Sequence, residues 1–445
     1  MATRVISRAL SVSAGVAEAF HALYADTQHA VWLDSGGERG SGTSVLASGE
    51  LITLTPASEL DSLREQVTTR TIPLEPADQS APLGFIGVLA YDIAQETLDI
   101  PGVASSREIP TSRGLWVTRS LEFLHSTREV VAWGLCDDEA FEQWCEQVET
   151  TLTVAQNAPE VTRVPPRLVT WRDDSSRYRR MIEQALDAIR EGEVYQICLT
   201  TEVTIGSTLA DWELHTLLRE SSPTHHQGML RLGQYSLVSA SPETFLTIDS
   251  GGVVTTRPIK GTRPRGATAD LDAALARELV ECDKERAENL MIVDLMRNDL
   301  QRVCETGSVN VSGLFEVETY SSVHQLVSTI TGTLRTDCDG IDALRACFPA
   351  GSMTGAPKHR AVSLLAQWES GPRGVYSGAW GWWRIDGSME WAMTIRSAVM
   401  REGQVSIGVG GGITWSSQPD QEIAEVGHKA TRLLEALGAS ADQYS

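Results

Sequence analysis

One lysine stands inside a frame of prolines and glycines, Pro258-Ile259-Lys260-Gly261-Thr262-Arg263-Pro264-Arg265-Gly266. Proline fixes its own φ and disfavours helix in the residue before it, while glycine permits turns closed to other residues. The segment therefore predicts a loop that holds an ammonium at a fixed point. A lysine becomes a nucleophile when burial or cationic neighbours lower its pKa, and Arg257, Arg263 and Arg265 are the candidate cations. Read alone, such a segment more often marks a basic surface turn that binds nothing.

Acids recur at face-sharing spacing in two further places. Glu281, Glu285 and Glu288 follow at offsets of four and three, and Glu422 and Glu425 lie one turn apart with Lys429 a turn later. Carboxylate oxygens without His or Cys suit Mg²⁺, which keeps several waters and shares its shell with an anionic substrate. The same spacing more often marks a solvated helix face. Arg396, in Met393-Thr394-Ile395-Arg396-Ser397, alternates with apolar neighbours as if pointing inward from a strand. An inward guanidinium must pair with a protein acid or a ligand. Gly408 to Gly412 offer amides free of side-chain cover, suited to a carboxylate, or else a flexible turn between strand and helix.

Elements able to position these groups follow from periodicity. Ser175 to Gly192 repeats apolar residues at helical spacing, and Val194 to Ile205 alternates as a strand. Gly84 to Tyr91, Tyr235 to Ala240 and Thr244 to Ile248 also read as strands, and an amphipathic helix begins in the acidic stretch at Asp137. One long helix is predicted from Leu271 to Val303, ended by Gly307. A polar, proline-bearing connection from Ala155 to Arg167 marks a boundary, dividing the chain into an N-terminal region, 1–158, and a C-terminal region, 168–438. Several successive strands mixed with helices favour an α+β fold with large antiparallel sheets over a doubly wound parallel one.

Composition narrows the function classes. A formal net charge of −22 argues against nucleic-acid binding, which needs a basic face. Seven cysteines without metal-ligand spacing predict free thiols in a reducing compartment. With no signal peptide and no run of about 18 apolar residues, a soluble cytoplasmic protein without membrane contact is expected. Neither a dinucleotide fingerprint nor a P-loop is present, so no nucleotide cofactor is expected.

The lysine segment resembles that of chorismate-using enzymes, the anthranilate synthase component I superfamily. Its Pro-Ile-Lys-Gly-Thr form is that of the aminodeoxychorismate synthase component I branch. Further blocks in family order carry the resemblance over about residues 170 to 435: Ser241-Pro242-Glu243, Arg286 to Asp299, Val323 to Ser328, Gly351 to Lys358 and Gly408 to Glu425. The resemblance implies two packed antiparallel sheets flanked by helices. It implies Glu288 and Glu425 as magnesium ligands with Glu422 beside them; Asp294, Arg297 and Asp299 of the same block are read by default as structural ties between this helix and its neighbours. Thr354, Tyr376, Arg396, Gly410, Gly411, Gly412 and Lys429 become substrate-binding residues, and Lys260, Glu243 and His324 the catalytic ones. Without the resemblance, Glu243 would be an exposed strand-end acid and His324 a satisfied core histidine.

The implied activity is Mg²⁺-dependent amination of chorismate at C4 to 4-amino-4-deoxychorismate, toward 4-aminobenzoate and folate, through a Lys260 adduct. Relatives that add water carry a lysine where this chain has Gln196, which cannot act as a base at neutral pH. No glutaminase nucleophile elbow occurs, so a separate glutamine amidotransferase subunit is the implied ammonia source. Anthranilate synthase component I and a silent chorismate-binding scaffold are the alternatives. Trp415, just after the glycine run, is expected at the site.

Overall fold

The computed structural model describes residues 4–35, 42–55, 58–70, 72, 81–100, 112–155, 158–161 and 168–440. Its strands form one antiparallel ladder. From Val169–Trp171 the ladder passes through Gln196–Gly206, Gln404–Thr414, Ser397–Arg401, Ser236–Ser241, His226–Leu232, His29–Asp34, Thr43–Thr53 and Arg113–Leu124. It continues through Gly84–Leu89, Ala379–Arg384, Met389–Met393, Thr244–Ile248 and Val253–Thr256 to Val323–Thr333. That last strand also carries Ile259–Pro264 and Asn310–Thr319.

Side-chain alternation turns the ladder into two packed layers. Val31, Leu230 and Leu237 of the first half share a core with Phe85, Leu246, Trp380 and Trp391 of the second. Trp32, Met229 and Val238, pointing the other way, meet helices Val16–Tyr24, Asp138–Thr153, Ser175–Arg190, Asp211–Ser221 and Pro419–Ala436. This is the expected α+β architecture, with the two layers hydrogen-bonded into one sheet. The N- and C-terminal regions both contribute: His29–Asp34 pairs with His226–Leu232, and Gly84–Leu89 with Ala379–Arg384. Much of the connection predicted as the boundary, at 156–157 and 162–167, lies outside the described residues.

The helix predicted from Leu271 to Val303 is two helices, Ala269–Glu281 and Asp283–Gln301. Cys282, with φ −68° and ψ 105°, is extended and breaks the run, while Thr268 caps the first helix by accepting from the Leu271 amide. Asp283 and Glu285 complement the dipole of the second helix in its first turn. The break takes Glu281 off the shared face: it is exposed, whereas Glu288 is buried. Gly307 sits in a later turn at φ +84°, beyond the helix end.

Candidate active site

Lys260 does not lie in a loop. It belongs to strand Ile259–Pro264, whose pairing slips between Ile259, opposite Val327, and Thr262, opposite Gln325. Lys260 and Gly261 form the bulge, Gly261 taking the φ of +86° that such a kink demands. A Cβ there would stand 3.0 Å from the Glu285 carboxylate and 2.8 Å from Leu279, so the two helices press against the bulge. Thus the prolines and glycines serve a re-aimed strand residue. The three arginines are committed elsewhere: Arg257 to Glu318, Arg263 to Glu278 and Glu285, Arg265 to Asp272. Lys260 has no hydrogen bond or ion pair among the described residues, and its charge acts on Glu243, Glu288, Glu425 and Cys198.

Glu243 follows strand Ser236–Ser241 and is buried. Burial pushes its carboxyl up to about 6, against the opposing pull of the Ser352 hydroxyl, Lys260 and the Ile259 amide. It is therefore a carboxyl that carries a proton in mildly acidic solution, next to a lysine with no fixed partner.

The glycine run is neither loop nor turn. Gly410, Gly411 and Gly412 sit inside strand Gln404–Thr414, opposite Thr200, Leu199 and Cys198. What matters is the missing side chains. A Cβ on Gly412 would lie 3.0 Å from Gln196 Nε2 and 3.6 Å from Lys260 Nζ, and one on Gly411 would lie 3.5 Å from Glu422 Oε2. One on Gly408 would fall inside the Tyr376 ring, whose buried phenol is pushed far above its ordinary value. Gln196 is fully buried and neither polar atom of its amide has a partner among the described residues.

Glu288 and Glu422 are both buried, and burial raises both. Lys260 and Lys284 pull Glu288 back down, and the Ser417 hydroxyl does the same for Glu422; each also feels a neighbouring carboxylate. For half-exposed Glu425, the rise due to burial is outweighed by Lys429, Lys284 and Lys260, which hold it below the usual carboxylate range. Lys429 bonds Glu425 at 2.8 Å and the Gly410 carbonyl at 2.9 Å. Among the described residues no three His, Cys, Asp or Glu side chains converge closely enough to cage an ion. Desolvated carboxylates with oxygen donors only do fit Mg²⁺ held by one or two protein ligands, waters and substrate.

Arg396 connects strands Met389–Met393 and Ser397–Arg401 at φ +47°, a left-handed conformation, rather than continuing a strand. Burial lowers its pKa, and its guanidinium has no partner among the described residues. Thr354 is buried: its hydroxyl donates to the Ala350 carbonyl at 2.9 Å and its own carbonyl accepts from the Cys198 amide. Asp299 is a tie, as expected: the buried Lys358 ammonium bonds it at 2.6 Å and joins the Gly351–Lys358 segment to the Glu288 helix. His324 is not brought into this group. Its Nε2 lies 2.9 Å from Asp272 and its Nδ1 2.9 Å from Thr319, on the strand position paired with Arg263. Trp415 is 83% exposed, while Trp380, Trp382 and Trp383 are buried in a strand covered on both faces. Sequence reasoning missed Ser352 as a partner of Glu243 and Gln196 as a neighbour of Lys260; only tertiary placement reveals them. A cavity of about 1210 Å³ lies apart, lined by Asp34, His125, Arg219 and Gln227 among others, and none of the candidate residues lines it.

An antiparallel ladder that brings a bulge lysine within electrostatic reach of a buried acid and of helix carboxylates, with a buried arginine on a neighbouring connection, defines a class. The chain belongs to the chorismate binding enzyme family, which matches residues 28–435. It is 38% identical to an aminodeoxychorismate synthase of Streptomyces griseus over 98% of this chain and 64% of that relative, so it spans less than two thirds of the relative's length. It is 34% identical to aminodeoxychorismate synthase component 1 of Klebsiella aerogenes, over 88% of this chain and 86% of the relative. The crystal structure of anthranilate synthase component I from Streptococcus pneumoniae TIGR4 superposes with a TM-score of 0.76 at 27% identity, covering 97% of this chain and 93% of the other.

Proposed function

We propose that the chain aminates chorismate at C4 with ammonia, giving 4-amino-4-deoxychorismate for 4-aminobenzoate and folate formation, in the cytoplasm, with residues 168–438 as the catalytic region. The observation that carries this reading is Lys260, unpartnered on its bulge, beside the protonatable Glu243. Unprotonated Lys260 attacks C2, both ring double bonds shift toward C4, and the C4 hydroxyl departs as water with the proton of Glu243. Glu243 then takes the proton from the alkylated lysine nitrogen. Ammonia attacks C4, both double bonds return, and the C2–N bond breaks as Glu243 hands its proton back to Lys260; the new C4 ammonium then gives up a proton, which restores Glu243. Arg396 supplies an unpaired guanidinium for one substrate carboxylate. Thr354, Tyr376, Lys429 and the strand at Gly410, Gly411 and Gly412 shape the remainder of the pocket. Glu288 and Glu425 would hold Mg²⁺, with Glu422 beside it or its waters, and the ion would neutralise the ring carboxylate when bound. His324, tied to Asp272 and Thr319, orders the lysine strand.

Ammonia is supplied by a glutamine amidotransferase. Of the described residues, no helix is long and apolar enough to cross a membrane. All seven cysteines are free, in keeping with a reducing compartment. The test is purified chain with chorismate, Mg²⁺ and an ammonium salt, with products resolved by mass and fluorescence. Aminodeoxychorismate, converted to 4-aminobenzoate by added lyase, is expected. Anthranilate would favour the second reading, to which the pneumococcal structure gives weight, and absence of turnover would leave a silent scaffold.

A further inference from the structure

The last rung between strands Gln196–Gly206 and Gln404–Thr414 pairs Gln196 with Thr414. One residue beyond it, Tyr195 and Trp415 leave the ladder at the same end. Trp415 is 83% exposed and Tyr195 67%, and no other Trp, Tyr or Phe among the described residues is exposed. Neither position is loose: the Tyr195 amide donates to the Ala356 carbonyl at 2.7 Å. Trp415 sits in the turn whose Ser417 bonds the Thr414 amide at 3.1 Å and approaches Glu422. Ion pairs flank both aromatics, Arg360 with Glu193 and Arg179 with Asp420. Rigid aromatics inside a charged rim are the usual anatomy of a binding hot spot.

We infer that the Tyr195–Trp415 edge is the docking surface for the ammonia-supplying glutamine amidotransferase; this rests on the amination reading above. The occupant follows from position and chemistry. Immediately inside the edge lies Gln196, buried with an unpartnered amide, and beside it Lys260, where ammonia is consumed. A protein seated here delivers ammonia by a short path shielded from bulk water. The Streptomyces relative carries about a third of its length outside the match, and the Klebsiella relative is named as one component of its enzyme.

The experiment compares wild type with Trp415→Ala, Tyr195→Ala and Trp415→Phe, and with Leu314→Ala as an exposed control on another strand. Binding of the source organism's own amidotransferase subunit is measured by calorimetry, alongside ammonium-driven and glutamine-driven amination. Each alanine is expected to weaken the complex about tenfold or more, with glutamine-driven turnover falling in step. Ammonium-driven turnover and Tm should stay within about twofold and about 2 °C of wild type, and Phe should recover most of the binding. Unchanged affinity in both alanine variants would overturn the inference, as would wild type that binds no amidotransferase. Equal loss of both activities would make the turn part of the active site instead. Loss of self-association with amidotransferase binding intact would assign the edge to a second copy of the chain. If wild type binds the subunit through this edge yet aminates nothing with ammonium, the docking surface stands and the amination reading falls.

Discussion

Glu243 and Glu425 are one residue type in two environments, both reached by the charge of Lys260. Glu243, at a strand end, is buried and holds its proton up to about pH 6, although Lys260, the Ser352 hydroxyl and the Ile259 amide all favour its charge. Glu425, on a helix, keeps an exposed side and three lysines, and stays ionised. Burial raises both acids and the same Lys260 charge reaches both; what separates them is that Glu425 also carries the 2.8 Å ion pair with Lys429 and the charge of Lys284, whereas Glu243 has no ion pair among the described residues. The acid proposed to donate a proton and the acid proposed to hold a cation are thus separated by an ion pair as well as by exposure.

Removing the shared cation is the strongest way to break the contrast. Lys260→Ala should cut ammonium-driven amination at least about 10⁴-fold, since a deleted nucleophile abolishes the route and is not merely slowed. Circular dichroism and Tm should be unchanged, because Lys260 makes no bond among the described residues. Wild-type turnover and the same product in this variant would remove the covalent step.

Glu243→Gln attacks the buried member. Loss of a general acid predicts a decrease of about 10³-fold in kcat and disappearance of the activity limb near pH 6. Stability should move oppositely. Because the folded pKa is raised, the native state binds more protons than the unfolded chain between the ordinary glutamate value and about 6, so stability falls as pH rises through that window. The substitution should therefore raise stability at pH 8 by about 2 kcal/mol and by little at pH 4, read from denaturant titrations. A variant less stable than wild type at pH 8 would show that the buried carboxyl is not strained by ionisation.

Glu425→Gln addresses the solvated member. The Mg²⁺ concentration for half-maximal turnover should rise about 10–100-fold, with kcat at saturating metal nearly retained. Chelation should abolish wild-type activity reversibly, and indifference of both proteins to Mg²⁺ would sink the metal assignment.

How much of this was legible without coordinates differs along the same contrast. Residue types carried the acids, the lysine and the arginine, and strand periodicity carried Thr244–Ile248 and most of Ser236–Ser241. What sequence could not show was which neighbours bury or pair each group. Gly261 announced a turn but not a bulge, because one extra residue in a ladder depends on the partner strand, here Val323–Thr333. The offsets linking Glu281 to Glu288 looked continuous, yet the helix breaks at Cys282, a residue with no breaking propensity of its own. Arg257, Arg263 and Arg265 looked like cations for Lys260 until their carboxylates, 7 to 61 residues away in sequence, came into view. His324 entered the catalytic set only through the family resemblance; its partners Asp272 and Thr319, on a helix and on the neighbouring strand, could not be read from its own apolar surroundings.

The smallest effect separates chemistry from packing within one strand. Gly408 and Gly412 are four residues apart in Gln404–Thr414, and each lacks a Cβ for a different reason. At Gly408 the intruding atom would meet the Tyr376 ring, which is buried and cannot move aside, so Gly408→Ala should cost about 1–3 kcal/mol of stability. At Gly412 it would press on the end of the Gln196 side chain at 3.0 Å, which must shift by a few tenths of an ångström, and would stand in ordinary contact with Lys260 Nζ at 3.6 Å. Gly412→Ala should therefore leave Tm nearly unchanged while slowing ammonium-driven turnover about tenfold, because the added methyl fills space beside the proposed nucleophile and its neighbour Gln196. Equal losses of stability in the two variants would mean that the space beside Lys260 is ordinary packing, and would weaken its standing as the nucleophile.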